Sequence, residues 1–442
     1  MLRFVGFSKS AKAINMIREN MAIDVTTDAN GLYGKDMAPT EFARAVVDDV
    51  KMDGDEAVKR ITNALQGYTP ANFEVPREDI SSAINKIGTE TLNAIKFTVD
   101  RVTKFQTRAK PASWWSEEEQ YGEEIRPINR VGIYVPGGTA SLISTLIMTA
   151  VPAKVAGVNE IVLTTPGTFS ENIPQSMLAA ASICGVDRVF NIGGAQAIAA
   201  LAYGTQSVPR CDMVTGPGNV FTSAAKLAVT GDAGIDGIFG PTETVIIADD
   251  TANPEFVAAD LLAQAEHDVN ALPIVISIGE NVAKTIEECT ELFLEVMPRK
   301  SIASASMSKG LSLVVDSKDE AVRLANLVAP EHLCLSFNDA EQYLEYIQNA
   351  GGIFLGEFSA EVMADYVAGP SHVMPTGGSA RFASALSVRN FVKISPVINF
   401  SREKFQSLAP YASKLAREEK LEGHAIAAEI RDSSSKNENG TH

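Results

Sequence analysis

From residue 131 onward the chain repeats one pattern, a short β-branched run followed by a helix-length stretch. VGIYV (131–135), EIVLT (160–164), DRVFN (187–191) and DMV (212–214) are each followed by a helical stretch, at 142–157, 174–185, 195–204 and 219–230. A second series follows: ETVIIA (243–248), PIVISI (273–278), LSLVVD (311–316), HLCLSF (332–337) and GIFLG (352–356), again with helical stretches between. Strands separated by whole helices cannot close as hairpins. They need crossovers, and crossovers give parallel sheets with helices on both faces. The Gly-rich stretch GIDGIFGPTE (234–243) divides the two series, and 442 residues exceed what one hydrophobic core accommodates. The expected fold class is α/β: two doubly wound parallel-sheet (Rossmann-like) domains plus helical N-terminal and C-terminal segments. The first 110 residues alternate helical patterns with polar breaks, with Thr40 and Asp55 as N-caps and Gly67 as a stop, and no strand is expected before residue 131. Residues 387–432 read as a helical appendage, and the polar tail 433–442 reads as disordered.

Composition narrows the function classes. A net charge of −17 argues against nucleic-acid or anionic-membrane partners. No stretch approaches the roughly 18 apolar residues of a membrane span, and the first 20 residues lack the apolar segment of a secretory signal. The four cysteines are scattered, without a C-x-x-C pair, as expected of buried thiols in a reducing compartment. The expectation is a cytoplasmic protein.

Doubly wound sheets bind ligands at the carboxyl ends of their strands, so the loops there are where a site is expected. The glycine-rich turns VGIYVPGGTAS (131–141) and VTGPGNVFTSAAK (214–226) join a strand to a helix and offer backbone N–H groups to a phosphate. Neither fits G-x-G-x-x-G or the P-loop pattern, and each is also what a plain tight turn looks like. The histidines are the second signal, because there are only five. Gln264 and His267 lie one turn apart on a predicted helix, 254–267. His332 follows Glu331, Asp365 and His372 flank a Gly-Pro turn, and His424 lies five residues after Glu419. A lone histidine is more often structural than a ligand. The recurring company of carboxylates and a carboxamide suits a borderline divalent ion such as zinc, but no spacing ties these residues together, so a metal site and a set of structural roles both stay open.

These stretches taken together resemble the histidinol dehydrogenase family. The resemblance runs from about residue 30 to 431 and rests on RVGIYVPGGTA, PAKVAGVNEIVLTTP, NIGGAQAIAALAYGT, GPGNVF, DLLAQAEHD, APEHL, HVMPTGGSARF and LSV, in that order. It implies a zinc-dependent, NAD-linked enzyme that oxidises L-histidinol to L-histidine through the aldehyde. It implies Gln264, His267, Asp365 and His424 as ligands of one Zn²⁺ per subunit, and Glu331 and His332 as the catalytic acid/base pair. Tyr134, Gln196 and Asn219 fall at cofactor-contact positions, and Thr242, His332, Glu419 and His424 at substrate-contact positions, with the zinc ligands also facing substrate. The C-terminal Glu and His would serve a neighbouring subunit, giving a homodimer with shared active sites.

The organisation expected is an N-terminal helical segment (1–28), a discontinuous larger α/β domain (29–133 and 242–386), an inserted α/β domain on the cofactor side (134–241), the appendage (387–432) as a dimer contact, and the tail. The chain departs from the family pattern near the substrate: IFGPTE (238–243) stands where P-A-G-P-S-E is usual, GPSH carries Ser371, Lys420 follows the C-terminal Glu where Gly is usual, and 140–144 reads ASLIS. Two alternatives therefore remain at this point: a paralogue with the same chemistry on another small alcohol, such as a hydroxy-sulfonate or a different amino alcohol, and a non-catalytic zinc- or nucleotide-binding homologue.

Overall fold

A computed structural model describes residues 1–20, 31–137, 141–167 and 172–433. The tail beyond Ser433 and residues 138–140 of the first glycine-rich turn lie outside them. The chain divides into two units, Met1–Lys110 with Pro127–Phe391, and Pro111–Arg126 with Val392–His442.

The first unit contains two all-parallel sheets. The five-stranded sheet runs Arg188–Phe190, Glu160–Thr164, Arg130–Tyr134, Met213–Thr215, Gly234–Ile235. Numbered along the chain, that order is 3-2-1-4-5, a doubly wound sheet whose direction reverses between Arg130–Tyr134 and Met213–Thr215. The six-stranded sheet runs Leu2–Val5, Leu311–Val315, Leu272–Ile278, Glu243–Ala248, His332–Ser336, Gly352–Leu355. From Glu243 onward it repeats the order 3-2-1-4-5, with Leu2–Val5 added at one edge. Its central strands are buried at nearly every position, which is why their sequences are continuous apolar runs without alternation.

Leu2–Val5, Trp114–Ser116 and Tyr121–Pro127 correct the expectation of no strand before residue 131. Leu2–Val5 is an edge strand of only four residues, largely exposed, and its partner lies more than 300 positions away. Neither burial periodicity nor a neighbouring turn marks it.

Packing also divides the chain differently from the sequence. The helix Pro39–Asp53 buries Phe42, Ala43, Val46, Val47 and Val50, and with Ala57, Val58 and Ile61 of Asp55–Gln66 it joins the core of the five-stranded sheet, not that of the six-stranded one with which residues 29–133 were grouped. The small side chains of Gly194–Tyr203, five alanines among them, let these helices approach closely. Gly67 ends the second of them in a left-handed conformation, φ 74°, as its position suggested. Helix Phe7–Asn20 packs through Ala13 and Ile14 into the core of the six-stranded sheet.

The second unit pairs Trp114–Ser116 antiparallel with Tyr121–Pro127, sets Val392–Ile398 beside the latter, and adds the helices Arg402–Glu418 and Glu422–Ser433, which pack on each other. The segment expected to be helical from 387 thus opens with a short 3₁₀ turn and a β-branched strand, VKISPVI. No helix among the described residues is long and apolar enough to cross a membrane.

Candidate active site

Glu243–Ala248 and His332–Ser336 are adjacent strands at the reversal point of the six-stranded sheet, with His332 opposite Thr244. The candidate site lies where these strands begin, at their amino ends, and not at the carboxyl ends where the fold class led us to look. The carboxyl ends of the same strands are filled by the protein itself. Lys318 reaches Asp249 at 3.0 Å, pairs with Asp339, and lies 4.5 Å over the Phe337 ring.

At the amino ends one chain of contacts joins most of the expected residues. Thr242 Oγ1 lies 2.6 Å from Glu331 Oε2 and 2.9 Å from the side-chain oxygen of Gln264. The backbone N–H of Glu243 donates to Glu331 Oε2 at 3.1 Å, and Nδ1 of His332 sits 3.2 Å from the Glu243 carbonyl. A carbonyl only accepts, so that contact places the proton of a neutral His332 on Nδ1 and leaves Nε2 as a bare lone pair. Nε2 is buried, has no hydrogen-bond partner, and is 4.0 Å from Asp365 Oδ1. His332 stacks on Phe354, with ring centroids 5.9 Å apart. His372 completes the group. Its Nδ1 is 3.0 Å from the Asp365 carbonyl and its Nε2 3.3 Å from Thr145 Oγ1.

Burial sets the electrostatics. It lowers the pKa of His332 to about 4, opposed by the bond to the Glu243 carbonyl and reinforced by His372 and His267 nearby. It lowers His372 to about 4 and raises Asp365 to about 6. Glu331 is pushed well above the usual carboxylate range by burial, against the bonds from Thr242 and Glu243 that favour its charged form. The group is therefore held with a neutral imidazole beside carboxyl groups that take up protons easily.

Gln264 is in the last turn of helix Pro254–Ala265 and is buried. The helix stops at Ala265, so His267 lies just beyond it in a turn, its N–H bonded to the Gln264 carbonyl at 3.2 Å. It still stands at the rim of the group, close enough for its charge to bear on both His332 and His372. Glu419 and His424 belong to the second unit. Glu419 follows helix Arg402–Glu418, His424 is in Glu422–Ser433, and both are exposed. Among the described residues no three His, Cys, Asp or Glu side chains could hold a metal by themselves.

The expected cofactor residues gather at the reversal point of the five-stranded sheet. Tyr134 is buried, and its hydroxyl accepts from the Gly194 N–H at 3.4 Å. Gln196 is buried, donates to Thr62 Oγ1 at 3.3 Å, and has a side-chain oxygen without a partner. Asn219 caps helix Val220–Val229, accepting from the N–H groups of Phe221 and Thr222 at 3.1 Å each. The turn before it lies flat on Tyr134: a Cβ at Gly216 would meet the Tyr134 carbonyl oxygen at 2.0 Å, and one at Gly218 would meet Thr222 Oγ1 at 2.0 Å.

Glu361 was missed by the sequence reading. It is buried, takes hydrogen bonds from Thr244 and the Cys334 thiol, and is raised to about 8 by burial. The available signal was its place one helical turn before Asp365 in EVMADY.

The family model described as histidinol dehydrogenase matches residues 35–432. The chain belongs to the histidinol dehydrogenase family. It is 44% identical to the histidinol dehydrogenase of Dehalococcoides mccartyi over 426 residues, 96% of this chain and 98% of that one. It is 46% identical to that of Deinococcus radiodurans over 405 residues, 90% and 92% of the two chains. The crystal structure of histidinol dehydrogenase from Elizabethkingia anophelis superposes with a TM-score of 0.91 at 34% identity, covering 99% of each chain. Membership makes the chain a dehydrogenase and accounts for the fold. It also gives the departures a frame. Lys420, in place of the family's usual Gly, adopts a left-handed φ of 62°, the conformation for which Gly is favoured. Ser371 is buried, donating to the Met148 carbonyl at 3.0 Å.

Proposed function

We propose that the chain oxidises L-histidinol to L-histidine by way of the aldehyde, with zinc and NAD, in a homodimer whose sites are completed by Glu419 and His424 of the second subunit. The observation that carries this reading is the bare, buried Nε2 of His332, aimed toward Asp365 and set beside a Glu331 held by Thr242.

The donor chemistry fits a zinc ion. Gln264 offers an amide oxygen, His267 an imidazole that burial keeps in its neutral form, and Asp365 a carboxylate whose charge burial disfavours until a cation offsets it. One protein donor is still lacking in the first unit, the place we assign to His424 of the partner. When bound, the ion would orient and polarise the substrate's amine and hydroxyl, and the dinucleotide would accept a hydride in each of the two oxidations.

The chain's own groups handle the protons. His332 Nε2 takes the hydroxyl proton in the first oxidation, its Nδ1–H fixed on the Glu243 carbonyl so that the correct nitrogen faces substrate. General-base help of this kind is worth about 10²–10⁴-fold. Glu331 takes a proton from the water that adds to the aldehyde, and its high pKa makes it a stronger base than a solvated carboxylate. Two neighbouring groups on different atoms of substrate suit two successive oxidations.

The test is a steady-state assay of zinc-loaded protein with L-histidinol and NAD. Two NADH per histidinol support the reading. Turnover of a hydroxy-sulfonate or another alcohol, with none of histidinol, overturns the substrate assignment. In Glu331→Gln, alcohol oxidation should outlast aldehyde oxidation, and equal loss of both refutes the division of labour.

A further inference from the structure

Lys226 and Asp236 form an ion pair whose side chains are 3% and 0% exposed. Neither has a part in the chemistry above. Burying two charges is expensive, and an apolar pair of similar size is often as stable or more so. What the pair holds is therefore informative. Lys226 Nζ donates to the Gly216 carbonyl at 3.0 Å as well as to Asp236, and the other carboxylate oxygen of Asp236 accepts from the Gly216 N–H at 2.7 Å. Both polar groups of one residue, at a left-handed φ of 113°, are thus gripped by the same pair. That residue opens the turn 216–219 at the reversal point of the five-stranded sheet, against Tyr134.

The pair also reaches toward the substrate side. Lys226 Nζ lies 4.6 Å from the centre of the Phe239 ring, and the Phe239 carbonyl accepts from Ser223 Oγ at 2.9 Å. The next residue, Gly240, donates to Thr376 Oγ1 at 2.6 Å, and Thr242 follows two positions later.

The geometry points to Lys226 and Asp236 as positioning residues for the dinucleotide, a buried clamp that fixes the Gly216 peptide so that the turn 216–219 is preformed for the cofactor. This rests on the proposal that NAD binds at that turn.

The test uses the full chain with paired substitutions. Lys226→Met/Asp236→Leu removes both grips without leaving a bare charge. Lys226→Gln/Asp236→Asn removes the charges but keeps a donor for the Gly216 carbonyl and an acceptor for its N–H. NADH binding is followed by fluorescence titration, L-histidinol binding by calorimetry, and hydrogen exchange by mass spectrometry on a peptide covering 214–219. Met/Leu should weaken NADH binding by about ten-fold or more and lose protection at 214–219, with histidinol affinity and protection at 243–248 unchanged. Gln/Asn should return NADH affinity to within about three-fold of wild type. Wild-type NADH affinity in Met/Leu overturns the clamp alone, as does a parallel loss of histidinol binding. A wild-type chain that binds no NADH overturns both the clamp and the cofactor reading. If Met/Leu does not fold, exchange in the wild type decides: protection at 214–219 without NADH supports a preformed turn, and protection only with NADH refutes it.

Discussion

Thr242 has one hydroxyl proton and two neighbours that ordinarily accept: Glu331 Oε2 at 2.6 Å and the Gln264 side-chain oxygen at 2.9 Å. The shorter contact is the one to Glu331: the hydroxyl donates to the carboxylate and favours the charged form that can accept a proton, against the burial that raises its pKa. Thr242→Val keeps the shape and removes the hydroxyl. Glu331 would then keep only the Glu243 N–H as a partner, at a cost of about 1–3 kcal/mol for a buried group left short of a hydrogen bond. The same loss lets the carboxyl shift, and a displacement of about 1 Å costs on the order of 10²-fold in rate. If Glu331 serves aldehyde oxidation, the valine chain should oxidise the aldehyde about 10–100-fold more slowly and change alcohol oxidation by less than about three-fold. NADH per histidinol should fall from two toward one, with the aldehyde recoverable by chemical trapping. Zinc content must be matched between the proteins, because Gln264 also loses a partner. Thr242→Ser keeps the hydroxyl and should keep both rates. The reasoning fails if Val leaves both steps within about two-fold of wild type, or if Ser is as damaging as Val.

Mixing two chains that cannot oxidise the aldehyde tests the shared site. Glu331→Gln and His424→Asn each disable aldehyde oxidation at every site of their own homodimer, whereas a hybrid dimer contains one site with both native residues, so remixed subunits should regain about one quarter of the wild-type rate of aldehyde oxidation; no recovery despite hybrid formation shown by native mass spectrometry excludes sharing. Lys420→Gly should raise stability by about 0.5–1 kcal/mol, since a side chain in the left-handed region costs about 1–2 kcal/mol and glycine returns part of the gain as backbone entropy; a lower melting temperature refutes that account of the position. Glu361 predicts a pH effect. Its folded pKa of about 8 lies above the usual carboxylate value, so the folded chain keeps a proton that the unfolded chain releases. The stability it contributes is complete below about pH 4 and is lost as pH rises to about 8, at no more than about 1.4 kcal/mol per pH unit. The urea midpoint of Glu361→Gln should fall less than that of wild type between pH 6 and 8, and parallel curves would show that Glu361 is ionised throughout.

The parallel strands were legible because they are buried on both faces. ETVIIA is a strand at all six of its positions, and LSLVV and HLCLS differ from the predicted runs by one residue. Non-local and thinly buried elements were not legible. Leu2–Val5 needs a partner from the far end of the unit, and Val392–Ile398 is exposed along almost its whole length, so neither writes a burial pattern into its own residues. The amphipathic face of Pro39–Asp53 was readable, but the sheet it would cover was not, because two sheets of one strand order both offer it buried aliphatic surfaces.

The site was legible through its rare residues, yet its location followed a rule that only one of the sheets obeys. The five-stranded sheet gathers Tyr134, Gly216 and Asn219 at the carboxyl ends of its reversal point, as a doubly wound sheet should. The six-stranded sheet has the same strand order, but Lys318, Asp249 and Asp339 occupy its equivalent crevice, and the reactive side chains sit on the first residues of the same two strands. The short segment Ile235–Thr242 connects the two sheets and brings the amino end of one near the carboxyl end of the other. Asp236 lies at its start, gripping the turn at Gly216, and Thr242 at its end, gripping Glu331. In the two-step oxidation proposed for this chain, the proton-handling groups and the hydride acceptor would have to stay in register across both steps. A connection of this length, pinned at each end by a hydrogen bond and in between by Thr376, would supply that register through the covalent chain itself.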